Sequence, residues 1–148
     1  MLNPDFHDIL SALSDAKADY LLVGAYALAY HGVPRATGDI DLWIRPSSEN
    51  ADRVLTALRQ FGAPMENFTR EELSREDWVF RIGVAPRRID LKTSLSGLTF
   101  EEAWASREQI TIDGVRTQVI NKACLIRNKR AAGRPKDLVD VMELEKLP

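Results

Sequence analysis

Apolar residues along the chain follow two rhythms, one of period 3.6 and one of period 2, and their alternation predicts helices and strands interleaved from end to end. Phe6, Ile9, Leu10 and Leu13 recur at helical spacing behind Asn3-Pro4, an N-cap followed by proline at the first helical position. Tyr20-Leu21-Leu22-Val23 is a compact apolar run that stops at Gly24, and the alanine-rich Ala25–Tyr30 reads as a short helix broken by His31-Gly32-Val33-Pro34. A strand follows at Asp39-Ile40-Asp41-Leu42, in which Ile40, Leu42 and Ile44 face a core and both aspartates face the other way. Next comes a helix from Pro46-Ser47-Ser48-Glu49 with Val54, Leu55, Leu58 and Phe61 as its buried stripe, closed by Gly62. The polar connection 63–77 contains one short helix at the Thr69–Glu72 capping box.

The second half continues in the same way. Trp78–Val84 and Arg87–Lys92 predict two strands around Ala85-Pro86, with Ile89 and Leu91 on one face and Arg88, Asp90 and Lys92 on the other. Thr99–Glu102 opens a helix running to about Arg107, and the segment 110–119 is a hairpin turning at Asp113-Gly114. Asn121 begins a helix that Gly133 ends, and Pro135 starts a last helix with Leu138, Val141, Met142 and Leu144 predicted to face inward. The expectation is one domain across 1–148, of mixed α/β (α+β) class, with a mixed sheet flanked by helices.

Composition narrows the picture. No apolar run approaches the roughly 18 residues of a membrane span, and the N-terminus lacks a basic region followed by an apolar core, so a cytoplasmic location without membrane contact is expected. Cys124 is the single cysteine; no internal disulfide is possible, and its helical apolar setting suggests a packed thiol. The net charge of −2 hides an asymmetry. From Gly114 to Lys136 the chain has no acid but carries Arg116, Lys122, Arg127, Lys129, Arg130, Arg134 and Lys136, which suits either an anionic partner or a solvated helix face.

The chemistry concentrates around Gly24 and the two aspartates. A strand that turns at glycine into a helix offers free backbone N–H groups to an anion. Two carboxylates on one face of the next strand repel each other unless a cation lies between them, and hard oxygen donors suit Mg²⁺; the alternative is the solvated face of an edge strand. Arg35 lies in the loop leading to Asp39, where it is a candidate to meet phosphate oxygens or to pair with Asp41, and Thr37 is placed to bond the same turn.

Val23-Gly24-Ala25, a spacer, and Asp39-Ile40-Asp41-Leu42 resemble the signature of the polymerase-beta-like nucleotidyltransferase superfamily, although Ala25 stands where that family usually carries Ser or Gly. The resemblance implies a third acid on a neighbouring strand, and Asp90 in Arg-Ile-Asp-Leu matches it. A second stretch, Lys129-x-x-Ala132 followed by Arg134-x-Lys136-Asp137-Leu138-x-Asp140, resembles the small AbiEii-type and minimal nucleotidyltransferases, as does Gly24–Leu42 as a whole. Together they imply a nucleotidyltransferase fold with Asp39, Asp41 and Asp90 as catalytic residues and Mg²⁺ ligands, two ions being engaged during turnover. They also imply that Gly24, Ala25, Arg35, Thr37, Lys129 and Asp137 bind the NTP, Asp137 by forming the wall or orienting Lys129. The implied reaction moves an NMP from an NTP to a hydroxyl or phosphate on RNA such as tRNA, on protein or on a small molecule, with a toxin–antitoxin or abortive-infection setting as one context. The alternative is a weak or inactive nucleotide- or partner-binding module of the same fold, antitoxin-like and able to engage a partner protein; a basic RNA-binding module is a third reading.

Overall fold

The structure is a computed structural model that describes residues 2–36 and 38–148; Thr37, one of the expected nucleotide contacts, lies outside them. Seven α-helices, α1 (Pro4–Asp15), α2 (Gly24–Tyr30), α3 (Ser48–Phe61), α4 (Arg70–Leu73), α5 (Phe100–Ala105), α6 (Lys122–Ala132) and α7 (Pro135–Lys146), and a 3-10 turn at Met65–Asn67 are described alongside six strands. The strands are β1 (Tyr20–Val23), β2 (Ile40–Ile44), β3 (Val79–Ile82), β4 (Ile89–Lys92), β5 (Glu108–Ile112) and β6 (Val115–Val119). They form one mixed sheet in the order β3-β4-β2-β1-β6-β5. β1 runs antiparallel to β2 and parallel to β6, β2 runs parallel to β4, and the β3–β4 and β5–β6 pairs are antiparallel hairpins.

The ends of the helices follow from local chemistry. The Asn3, Ser47, Thr69, Thr99 and Asn121 side chains each accept a backbone N–H two or three residues inside the helix they open. Gly62 and Gly133 close α3 and α6 in left-handed conformation, which glycine adopts without a Cβ penalty. The β5–β6 turn places Asp113 and Gly114 both at positive φ, as a two-residue hairpin of primed type requires.

All four residues of β1 are buried; since successive side chains point to opposite faces, both faces of the sheet are covered at its centre. Phe6, Ile9, Leu10 and Leu13 of α1 and Val54 and Leu58 of α3 fill the core against it, and α1 packs on α3 and β6. Asn50, buried on α3, ties this layer to the sheet: its amide accepts from Asp19 N and donates to the carbonyls of Asp19 and Arg45. On the Asp41 face, Trp43 packs edge-on against Phe100 of α5 with ring centroids 5.2 Å apart.

The last helix corrects one expectation. Val141 and Leu144 face inward as the pattern suggests, but Leu138 is 46% exposed and Met142 58%. The inward stripe is instead Asp137, Asp140, Val141 and Leu144, which is the same helical period rotated in phase. Two acids hold positions that apolar periodicity assigns to hydrophobic side chains, because cations from α6 and from the loop after α2 meet them there.

Candidate functional site

The parallel pairing of β2 with β4 sets Asp41 directly opposite Asp90, and the pairings on either side extend the row to Val23 on β1 and Arg81 on β3. The prediction that the Asp39 and Asp90 strands are neighbours therefore holds. Asp90, 6% exposed, is no surface charge. The row opens into a cleft of about 870 Å³ whose lining includes Gly24, Ala25, Arg35, Asp39, Asp41, Asp90, Lys129 and Asp137, which are all the sequence-predicted site residues that the structure describes.

Gly24 shows why the turn after β1 needs glycine. Its φ is +66°, and a Cβ there would stand 2.3 Å from Asp41 Oδ2. The turn and the carboxylate are thus in direct contact, with no room for a side chain between them. Gly38 serves a similar end on the other flank: a Cβ would lie 1.8 Å from the Pro86 carbonyl oxygen, so the loop entering β2 rests directly on the β3–β4 turn.

Each of the three carboxylates has a cation from β4 or just before it. The Arg88 guanidinium donates from Nε to Asp90 Oδ1 at 2.8 Å and from Nη2 to Oδ2 at 3.2 Å, while Nη2 also lies 3.4 Å from Asp39 Oδ2. The Arg88 backbone N–H donates to Asp39 Oδ1 at 3.1 Å. Lys92 Nζ stands 3.4 Å from Asp41 Oδ1. Burial pushes the Asp41 carboxyl above its usual range; Lys92 opposes the shift, and the charges of Asp90 and Asp39 add to it.

The opposite wall comes from α6 and α7. Lys129 Nζ lies 3.1 Å from Asp140 Oδ2 and 3.7 Å from Asp137 Oδ1, so the expected orientation of Lys129 by Asp137 is shared with Asp140. Arg35 binds Asp140, with Nη2 at 2.7 Å and Nε at 3.1 Å from Oδ1, instead of Asp41: α7 delivers a nearly buried acid to the loop after α2. Arg134 closes on Asp137 through Nε at 2.6 Å and Nη2 at 3.1 Å. Arg88, Arg81 and Asp140 also line the cleft, beyond the residues that the sequence marks. Their signal was available in part: alternation places Arg88 and Arg81 on the face of Asp90, but the α7 acids needed a tertiary partner to be placed.

Burial raises the Asp137 carboxyl, but its hydrogen bonds from Arg134 and the charge of Lys129 outweigh this and hold it below the usual carboxylate range. A depressed carboxylate stabilises the fold above its unfolded pKa of about 4 and loses that contribution as pH falls through the folded value. Asp137→Asn is therefore expected to cost about 3 kcal/mol in urea unfolding at pH 7, with the gap to the unmodified protein closing in acid. An equal gap at pH 7 and at pH 2 would remove this account.

For a hard divalent cation the donors are right in kind, three carboxylates facing one cleft around a left-handed glycine turn. Their gathering is incomplete. Among the described residues no three Asp, Glu, His or Cys side chains converge as a metal-holding group, and Arg88, Lys92 and Arg81 bring cations to these oxygens. Also among the described residues, no helix is long and apolar enough to cross a membrane. A second cavity, of about 610 Å³, is lined by Asp19, Arg45, Asn50 and Glu101; it contains none of the predicted site residues, and Arg45 is paired there with Asp19 and Glu101.

The six-stranded mixed sheet with its flanking helices is the nucleotidyltransferase fold. Among solved structures, the chain is similar to the lincosamide antibiotic adenylyltransferase LnuA bound to lincomycin, at 12% identity and TM-score 0.62, covering 99% of each chain. It is also similar to a candidate nucleotidyltransferase from Thermotoga maritima, TM1012, at 14% identity and TM-score 0.60 over 99% of this chain and 94% of that one. A third is ANT(2'')-Ia in complex with adenylyl-2''-tobramycin, at 17% identity and TM-score 0.59 over 94% and 84%. No protein-family model matches the chain, and no curated protein matches it by sequence.

Proposed function

We propose that the protein transfers a nucleoside monophosphate from an NTP to a hydroxyl or phosphate group of an acceptor. The observation that carries this reading is the contact between the Gly24 turn and Asp41, with Asp90 in register beside it: anion-binding backbone and paired carboxylates form one unit. Gly24 and Ala25 offer backbone N–H donors to the terminal phosphates, and Lys129 supplies a cation from the facing wall. Ala25 contributes through its backbone alone. Mg²⁺ held by Asp39, Asp41 and Asp90 would supply Lewis-acid activation of the acceptor oxygen and charge screening at the phosphates.

The Asp90 carboxylate takes the proton of the acceptor hydroxyl as that oxygen bonds to the α-phosphorus. The bond from the α-phosphorus to the bridging oxygen breaks in line, and pyrophosphate leaves toward Gly24 and Lys129. Arg88 and Lys92 exchange carboxylate partners for phosphate oxygens in the loaded site; both stay within reach because their stems share the Asp90 face of β4. The adenylyltransferases LnuA and ANT(2'')-Ia make small hydroxyl compounds one acceptor class to test, and the AbiEii-like motifs make RNA and protein the others, with a toxin–antitoxin role as the context those motifs suggest.

A second reading, a nucleotide-binding module with little turnover, draws on Arg88 and Lys92, which already pair with the three carboxylates, and on Ala25. One experiment separates the two. The protein is incubated with each α-labelled NTP, Mg²⁺ and whole-cell RNA, lysate protein or a small-hydroxyl panel. Labelled product with stoichiometric pyrophosphate supports the enzyme; Mg²⁺-dependent NTP binding without pyrophosphate release supports the module.

A further inference from the structure

On the side of Asp90 away from Gly24 the cleft ends at the edge strand β3. Arg81 is the residue of β3 in register with Asp90, its side chain 64% exposed and its Nε 4.0 Å from Asp90 Oδ1. Val79 lines the cleft two residues earlier on the same face, while Phe80 between them points into the core. From β1 to β3 the register row crosses three strand spacings, roughly 14 Å between backbones, so the Arg81 side chain reaches Asp90 from the side opposite the Gly24 turn. It flanks Asp90 at the outer end of the cleft.

The charge of the whole cleft points the same way. Among the described residues seven lysines and arginines line it against five aspartates, a surplus of two positive charges. The charge of a nucleoside triphosphate and that of the divalent cations it brings roughly cancel, which leaves the surplus for the second substrate. A polycationic acceptor would meet repulsion at Arg81 and at Lys136, which has no ion-pair partner among the described residues.

Resting on the transfer reaction proposed above, we infer that the acceptor carries a phosphate group, seated on Arg81 with the apolar part of the acceptor against Val79. Arg81 is thus a specificity-determining residue for the acceptor. The guanidinium binds one phosphate oxygen pair while the acceptor hydroxyl lies over Asp90. A free phosphorylated sugar and the phosphate of an oligonucleotide share this chemistry.

The test measures labelled-NMP transfer to ribose 5-phosphate, a 5′-phosphorylated tetraribonucleotide, unphosphorylated ribose and tobramycin. In parallel, equilibrium dialysis measures binding of ribose 5-phosphate, the tetraribonucleotide and the NTP to the unmodified protein, Arg81→Glu and Arg81→Lys. The expected result is a preference for a phosphorylated acceptor over ribose by about tenfold or more in kcat/KM, and a similar rise in acceptor KM for Arg81→Glu that Arg81→Lys partly restores. NTP affinity should change by less than about twofold in both variants. Which of the two phosphorylated compounds wins identifies the source.

Preference for tobramycin or ribose overturns the inference and leaves the transfer reading standing. An Arg81→Glu variant that loses NTP affinity in step with acceptor binding overturns it too, since Arg81 then serves the nucleotide. Phosphate-dependent binding that is lost in Arg81→Glu, without labelled product from any acceptor, keeps the anion subsite and removes the transfer reading. Neither binding nor product removes both.

Discussion

Asp41→Asn is expected to abolish nucleotidyl transfer and, at neutral pH, to raise the melting temperature. The loss should reach about 10³-fold or more, because a carboxylate at the reacting centre is worth several kcal/mol to the transition state. The gain in stability has a separate cause. Burial, reinforced by Asp90 and Asp39, raises the Asp41 carboxyl in the folded protein, so the native state holds its proton more tightly than the unfolded chain does. The resulting destabilisation accrues as pH rises through the unfolded pKa of about 4 and the higher folded value, and it persists above them. An amide removes it. A rise of about 2–4 °C at pH 7, shrinking toward pH 4, is the expected melting profile. Asp90→Asn should lose as much activity without that gain, since Asp90 gives up its paired hydrogen bonds with Arg88. Labelled product at unmodified levels from either variant would end the catalytic assignment.

Gly24→Ala carries the second large effect. Alanine at φ +66° is strained, and its Cβ would fall 2.3 Å from Asp41 Oδ2, so the carboxylate has to swing away. The expected cost is about 2 kcal/mol of stability and about 10²-fold or more in transfer rate, the penalty of displacing a reacting group by about 1 Å. Gly114→Ala is the matched control. Gly114 sits at φ +83° with nothing within 4 Å of the added atom, so it bears the backbone strain alone and should leave transfer unchanged. Equal losses of activity in the two variants would mean that strain, and not the contact with Asp41, explains Gly24.

Much of this arrangement was legible in the sequence because it depends on local chemistry. Alternation placed Asp39 and Asp41 away from the core and put Asp90 on the same face as Arg88 and Lys92; caps and glycines marked the helix ends. The resemblance of the Gly24 and Asp39–Leu42 segments to nucleotidyltransferases anticipated the fold. The partners of the acids were harder to read. Arg35, near Asp39 in sequence, is a candidate clamp for Asp41, but it binds Asp140, a residue about a hundred positions away whose inward direction contradicts apolar periodicity. The phase of α7 depends on Lys129, Arg35 and Arg134 arriving together at its buried face, and no window of a single helix contains that information. Arg88 was visible as a neighbour of Asp90, but its reach to Asp39 depends on strand order.

The bare backbone at Gly38 also bears on motion. Pressed against the Pro86 carbonyl, and with Asp39 accepting the Arg88 N–H, the entry to β2 is tied at two points to the turn end of the β3–β4 hairpin. A molecule leaning on the hairpin near Val79 and Arg81 would thus shift the Asp39 segment along with Asp90. On this account a ligand at the outer edge of the sheet would be felt by the carboxylates at its centre, and the order in which two substrates arrive would affect the geometry that each one meets.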